Sequence, residues 1–176
     1  MIIRKIELNS PYREQIRAIN TEAFPVEERM SIEEMYNWRG RSEVLGFYED
    51  DELVGFALIL MNEAVMFMVL LAIDCQYRGQ GYGSKALAAI KNEFPDMQII
   101  LDFEEVNENS VNYAQRISRK QFYLRNGFHE TGRYTKLGNE RFEVVCSEEN
   151  LNEAALLDIM ASIHLHTPEF NKQLFR

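Results

Sequence analysis

Arg78-Gly79-Gln80-Gly81-Tyr82-Gly83-Ser84 is the stretch on which the fold turns. It follows an apolar run, Ala64 to Ile73, that reads as a buried strand. It precedes Lys85 to Phe94, which reads as a helix: Leu87, Ile90 and Phe94 recur at helical spacing and Pro95 closes the pattern. Three glycines in five positions let the backbone turn tightly, with no Cβ between its N–H groups and a ligand. At a helix N-terminus, unpaired donors and the helix dipole both favour an anion. The stretch therefore reads as a holder of phosphate.

Three glycine-rich motifs compete for it. A nucleotide P-loop ends in Gly-Lys-Ser/Thr; the order here is Gly83-Ser84-Lys85, which excludes it. Gly81-Tyr82-Gly83-Ser84-Lys85-Ala86 fits the dinucleotide pattern G-x-G-x-x-A, and Asp102 ends the next apolar run. That fingerprint begins directly after its strand and opens repeating βαβ units. Here Asp74 to Gln80 intervene and the chain does not repeat, so an NAD-dependent oxidoreductase is the remotest alternative. The third motif explains more. Arg78-x-x-Gly81-x-Gly83, after a strand and opening a helix, resembles the acyl-CoA loop R/Q-x-x-G-x-G/A of the GNAT superfamily of N-acetyltransferases. Phe122-Tyr123-Leu124-Arg125-Asn126-Gly127-Phe128 resembles the F-Y-x-x-x-G-F segment that ends the family's next helix. Both occur in family order, with an apolar strand, Gln98 to Phe103, between them. Two unrelated glycine turns at helix ends would suit Gly127 at a C′ position. They do not account for three clustered glycines beside an arginine.

Composition narrows the class. The 176 residues are 46% hydrophobic with no low-complexity segment, which predicts one globular domain over residues 1–176, with a C-terminal tail from about residue 164. No run is long and apolar enough to span a membrane. Met1-Ile2-Ile3-Arg4-Lys5 is too short and mixed for a signal peptide, and Cys75 and Cys146 are too few for a disulfide scaffold. A cytoplasmic protein is expected. A net charge of −9 argues against sequence-independent binding of nucleic acid and is compatible with an amine substrate.

Taken in order, Ile2 to Leu8 alternates as a half-buried strand does. Ser10-Pro11 reads as the N-cap and first residue of a helix carrying Ile16, Ile19 and Ala23 and ended by Pro25. Ser31-Ile32-Glu33-Glu34 resembles a capping box before a short helix to Trp38. Gly40-Arg41-Ser42 reads as a loop, and Val44 to Tyr48 and Leu53 to Leu60 as a hairpin over Glu49-Asp50-Asp51-Glu52. After Glu105 to Asn109, a polar loop, Ser110 to Asn126 reads as a helix with Arg116, Arg119 and Tyr123 on one stripe. His129 to Lys136 and Arg141 to Ser147 form a closing hairpin over Gly138-Asn139. Leu151 to Ile163 is an amphipathic helix whose apolar stripe is read first as core and second as a homodimer contact. The pattern predicts a mixed α/β sheet rather than a doubly wound one.

This order of elements is similar to the GNAT acyl-CoA N-acyltransferase fold, a mixed, mostly antiparallel central sheet flanked by helices. The resemblance implies transfer of an acetyl group from acetyl-CoA, as co-substrate, to a primary amine of a small molecule by direct attack in a ternary complex. The alternative is a catalytically inactive acyl-CoA-binding module of the same fold. The resemblance puts pantetheine against the main chain of Leu71, Ala72 and Ile73. It puts the pyrophosphate against the backbone of Arg78, Gly79, Gln80, Gly81, Tyr82, Gly83 and Ser84, with charge added by the Arg78 side chain. It makes Tyr123 the proton donor to the leaving thiolate. A phenol with an ordinary pKa of about 10 stays protonated at neutral pH and can protonate a thiolate, whose thiol pKa is about 8.5.

The attacking amine must also lose a proton, and Ala64 to Ile73 lacks the glutamate that some branches of the family place there. Glu104, next to the Gln98 to Phe103 strand, is the first candidate base. Glu28 and Glu22 are candidates for lining the acceptor site. The competing reading of each is a solvated surface carboxylate. Arg119, with Arg116, meets CoA phosphates or forms a solvated basic face. Cys75, with no partner histidine suggested nearby, reads as structural. His164-x-His166 alone does not make a metal site, and none is expected.

Overall fold

The structure, a computed structural model, describes residues 1–26, 28–37 and 41–164, without the side chains of 162–164. Its strands are β1 (Ile2–Lys5), β2 (Arg41–Glu49), β3 (Glu52–Met61), β4 (Val65–Ile73), β5 (Gln98–Glu104), β6 (His129–Leu137) and β7 (Glu140–Cys146). Its helices are α1 (Arg13–Ala23), α2 (Ile32–Tyr36), α3 (Tyr82–Glu93), α4 (Tyr113–Arg125) and α5 (Glu153–His164). The strands form one sheet in the order β1-β2-β3-β4-β5-β7-β6. The chain packs as two compact units, Met1–Met61 with Met68–Pro95, and Asn62–Phe67 with Asp96–Arg176.

In the first unit β1, β2 and β3 pair antiparallel, with Ile2 opposite Tyr48 and Val44 opposite Leu58. Asp50 and Asp51 close the β2–β3 hairpin at φ 48° and 64°. Left-handed residues at both turn positions match the twist of the flanking strands. β2 begins at Arg41, opposite Met61, so Arg41-Ser42 is paired strand and not the expected loop. The helices bury one stripe each. Ile16 and Ile19 of α1 and Ile32 and Met35 of α2 share a core with Val44, Leu53, Phe56, Leu58 and Leu70. α2 starts with a full capping box: Ser31 Oγ accepts from Glu34 N at 3.2 Å, and Glu34 Oε2 accepts from Ser31 N at 2.6 Å. α2 ends at Tyr36, and Trp38 lies outside the described residues. Ser10 is not the N-cap of α1. Its hydroxyl accepts from Tyr12 N at 3.3 Å, and a turn over residues 10–13 delays the helix to Arg13.

In the second unit Asn62 N donates to Val65 O at 3.1 Å, and the Asn62 side chain accepts from Ala64 N and Val65 N. This asparagine shapes the turn into β4. Gln98 N donates to Ala64 O at 3.2 Å, which sets the starts of β4 and β5 side by side and makes them parallel. β5 and β6 both pair antiparallel with β7. The sheet is thus mixed, as the sequence pattern predicts, and mostly antiparallel, as the family resemblance implies. Gln98 is buried, and its amide bonds Asn150 O and Asn152 N, fixing the start of α5. α4 and α5 begin at Tyr113 and Glu153, a few residues later than the apolar spacing implies, because polar turns precede each.

Candidate active site

The glycine loop lies in the first unit. Asp74, buried, anchors its start: its backbone N donates to Val54 O at 2.9 Å, and its carboxylate accepts from Gln76 N at 3.0 Å. A short 3₁₀ turn, Cys75–Tyr77, carries the chain to Arg78. Gly79 and Gly81 then take φ values of 74° and 83°, which L side chains rarely adopt. Gly81 is the N-cap of α3, and no side chain caps that helix. The N–H groups of Tyr82, Gly83 and Ser84, in its first turn, have no intrahelical acceptor. A Cβ built at Gly79 or Gly81 meets nothing within 4 Å, so the surface over the loop is open. The helix starts three residues before Lys85, where the apolar spacing begins. Gly81-x-Gly83 is therefore the helix start itself. The residues fit an anionic ligand: first-turn amides without intrahelical acceptors, open space at Gly79 and Gly81, and a helix dipole behind them.

The Arg78 side chain departs from expectation. It is bound within the protein. Nε donates to Ile73 O at 2.8 Å, and the guanidinium grips the Glu22 carboxylate of α1 in a two-point pair, Nη1 at 2.8 Å from Oε1. Glu22, expected as an acceptor-site candidate, is thus tied to the loop. Leu71 and Ile73 at the end of β4 are half-buried and Ala72 is buried. Glu28 is half-buried in a turn that its own N closes onto Pro25 O at 3.0 Å.

Tyr123 lies in the second unit, two residues from the end of α4. Its ring stacks on Phe103 at 5.5 Å and meets Phe122 and Phe128 edge-on at 5.1 and 5.8 Å. Burial pushes its phenol up to about 12; nearby Arg119 opposes this and Asp102 adds to it. Glu104, the last residue of β5, is buried and heavily bonded. Asn112 Nδ2 donates to it at 2.9 Å, Arg119 forms a close ion pair, and Arg116 Nη2 stands 3.9 Å away. Arg116 is itself buried and also donates to Glu105 O at 2.9 Å and Asn112 Oδ1 at 2.8 Å. Neither arginine is a free cation on a solvated face.

Two groups here escape sequence reasoning. Asp102 enters that reasoning only as a ribose ligand, yet its carboxylate accepts from Thr135 Oγ1 at 2.5 Å, and burial raises it to about 6. The signal was a lone carboxylate inside the apolar run Ile99 to Phe103. Lys120, three residues before Tyr123, holds the buried Glu143 of β7 at 2.8 Å and Glu130 of β6 at 2.5 Å. Among the described residues no three potential metal ligands cluster.

The sequence model of the acetyltransferase (GNAT) family matches residues 13–118. The chain belongs to this family. Solved GNAT structures share its fold. A GNAT-family chain from Bacteroides thetaiotaomicron superposes with a TM-score of 0.76 at 21% identity, over 98% of this chain and 100% of its own. An aminoglycoside 6′-N-acetyltransferase complexed with coenzyme A gives 0.60 at 16%, over 83% and 96%. The ribosomal-protein-S18-alanine N-acetyltransferase of Escherichia coli gives 0.62 at 17%, over 85% and 94%. At such identities the likeness is one of fold. No curated protein matches the chain.

Proposed function

We propose that this GNAT member is an acetyl-CoA-dependent N-acetyltransferase that moves an acetyl group to a primary amine of a small molecule by direct attack in a ternary complex. The observation that carries the reading is Tyr123, whose phenol is held protonated far above neutral pH in a nest of three aromatic rings. A phenol still protonated at neutral pH carries the proton that a departing thiolate needs, although its burial makes it a weaker acid than a free tyrosine. The first-turn amides of Tyr82 to Ser84 would take the pyrophosphate, with Gly79 and Gln80 in the loop before them. The main chain of Leu71 and Ala72 would take pantetheine. Ile73 O is already shared with Arg78, so its part is the smaller one. We assign Arg78 and Arg119 to holding the site's carboxylates rather than phosphate, and Glu28 to the acceptor side. We assign the reaction to the cytoplasm on the composition of the chain.

The test is thiol release from acetyl-CoA with three kinds of acceptor: an aminoglycoside, a polyamine and a peptide with N-terminal alanine. Transfer to a small amine in preference to the peptide is expected. Preference for the peptide overturns the acceptor class. Binding of acetyl-CoA with no thiol release in any arm overturns the enzyme in favour of the binding module. Tyr123→Phe should lower kcat by roughly 10²- to 10⁴-fold while acetyl-CoA still binds.

A further inference from the structure

A phenol that protonates a thiolate must be aimed at it, because a misplacement of about 1 Å can cost about 100-fold in rate. Tyr123 has no hydrogen bond to aim it. Among the described residues its hydroxyl has no partner, and its side chain is held by ring contacts with Phe103, Phe122 and Phe128. Its direction is then set by α4, the helix that carries it. Two consecutive residues of that helix reach the sheet with ion pairs. Arg119 makes the close pair with Glu104 at the end of β5. Lys120 Nζ stands 2.8 and 3.0 Å from the two oxygens of Glu143 on β7, and 2.5 Å from Glu130 Oε1 on β6. Consecutive residues lie about 100° apart round a helix. One anchor alone leaves α4 able to roll about it. A second, on the adjacent strand and about 100° further round, stops the roll.

The second anchor also lies beside the donor. Lys120 comes three residues before Tyr123, so the two are neighbours on the helix surface. Glu143 stands opposite Phe103 in the β5–β7 ladder, and residues so paired share a face of the sheet. That is the face on which the Tyr123 ring stacks on Phe103. Lys120 therefore pins α4 to the same row of the sheet that receives the Tyr123 ring.

Fold stability is a poor reason for this pair. Glu143 is only 5% exposed and Lys120 is half-buried. Burial pushes the Glu143 carboxyl up, and the bonds from Lys120 oppose this. Two charges taken out of water cost about as much as their attraction returns, and apolar residues of similar size often hold a fold as well or better. What apolar residues do not supply is a fixed direction.

We propose that Lys120 is a positioning residue of the transfer: with Glu143 it fixes α4 so that the Tyr123 hydroxyl meets the leaving sulfur. This rests on the acetyltransferase reading. No proton passes through the pair. As the C–S bond breaks, its electrons go to sulfur, which takes the Tyr123 proton, and the phenolate recovers a proton from solvent.

The experiment replaces the pair by apolar residues, Lys120→Met with Glu143→Leu, with and without Tyr123→Phe. Thermal unfolding, acetyl-CoA affinity and kcat with the best amine of the panel are measured for each chain. The apolar pair should unfold no lower than the unsubstituted chain and bind acetyl-CoA equally well, yet lose roughly 10- to 100-fold in kcat. On the Tyr123→Phe background the same replacement should cost less than about threefold, because no phenol is left to aim. Glu143→Gln, which can still accept from Lys120, should keep kcat within about threefold. If the apolar pair does not fold, Lys120→Met alone carries the same expectations for kcat. A kcat within about threefold of the unsubstituted chain, an equal loss on both backgrounds, or a Glu143→Gln loss as large as that of the apolar pair overturns this proposal alone. A Tyr123→Phe chain with undiminished kcat overturns the donor and its positioning together. An unsubstituted chain that binds acetyl-CoA but transfers to no amine overturns the acetyltransferase reading, and this one with it.

Discussion

A carboxylate kept out of water is a cost to the fold. Asp102 binds its proton more tightly folded, at about 6, than at the ordinary carboxyl value of 3.8. The sign follows from linkage: the folded state holds more protons between those values, so this group's contribution to stability is fully present below about pH 4 and is lost as pH rises through 6. The ionised side chain thus costs about 2–3 kcal/mol at neutral pH, an order-of-magnitude figure. Asp102→Asn should raise the urea midpoint at pH 8 and change it little at pH 4. A midpoint lowered at pH 8 would show that the carboxylate is held by partners rather than merely tolerated.

At the scale of elements, two devices set the glycine loop. The first is the tie from α1 through Glu22 and Arg78 to the end of β4. The side chains are 47% and 42% exposed, so the pair adds less than about 1 kcal/mol to stability. Its larger effect is to neutralise a cation at the mouth of an anion site. Glu22→Gln should therefore leave unfolding almost unchanged and tighten acetyl-CoA binding about threefold at low salt, an advantage lost as salt screens it. Calorimetric titration at two salt concentrations checks this. Weaker binding would mean that Glu22 serves by aiming Arg78. The second device is the left-handed start of α3. Gly81→Ala meets no atom, so its cost is conformational alone, about 1–2 kcal/mol. Gly81→Asn should cost less, because asparagine visits that region more readily. Thermal unfolding of the two variants separates strain from crowding.

For the whole molecule, ligand binding and folding are one equilibrium. Acetyl-CoA at about a hundred times its dissociation constant should add roughly 2.7 kcal/mol, visible as a higher unfolding midpoint. NAD at the same concentration should add nothing; a shift with NAD alone would reopen the oxidoreductase alternative. How much of the molecule was legible beforehand follows from what each feature depends on. The glycine loop and the order of elements along the chain rest on local spacing, and the family match supports the fold they imply. The true starts of α1, α3 and α4 were missed because turn residues carry no apolar period. Arg41-Ser42 joined β2 because Met61 and Leu60, about twenty residues on, were there to pair with it. Asp102 was misread because its meaning depends on Thr135, 33 residues away on another strand. The pairing of the Arg78 side chain was not legible because its partner, Glu22, lies 56 residues earlier. In each case the deciding partner was distant in sequence.

The knot at Glu104 has one more implication. Asn112, Arg116 and Arg119 fasten the first turns of α4 to Glu104 and Glu105, across the segment 106–111. The helix is therefore oriented from the end of β5 rather than from that segment. Residues 106–111 should tolerate changes of length and sequence while the far end of α4 keeps its aim. This gives the scaffold a replaceable cassette, a stretch whose length and sequence can drift without moving the helix that follows it.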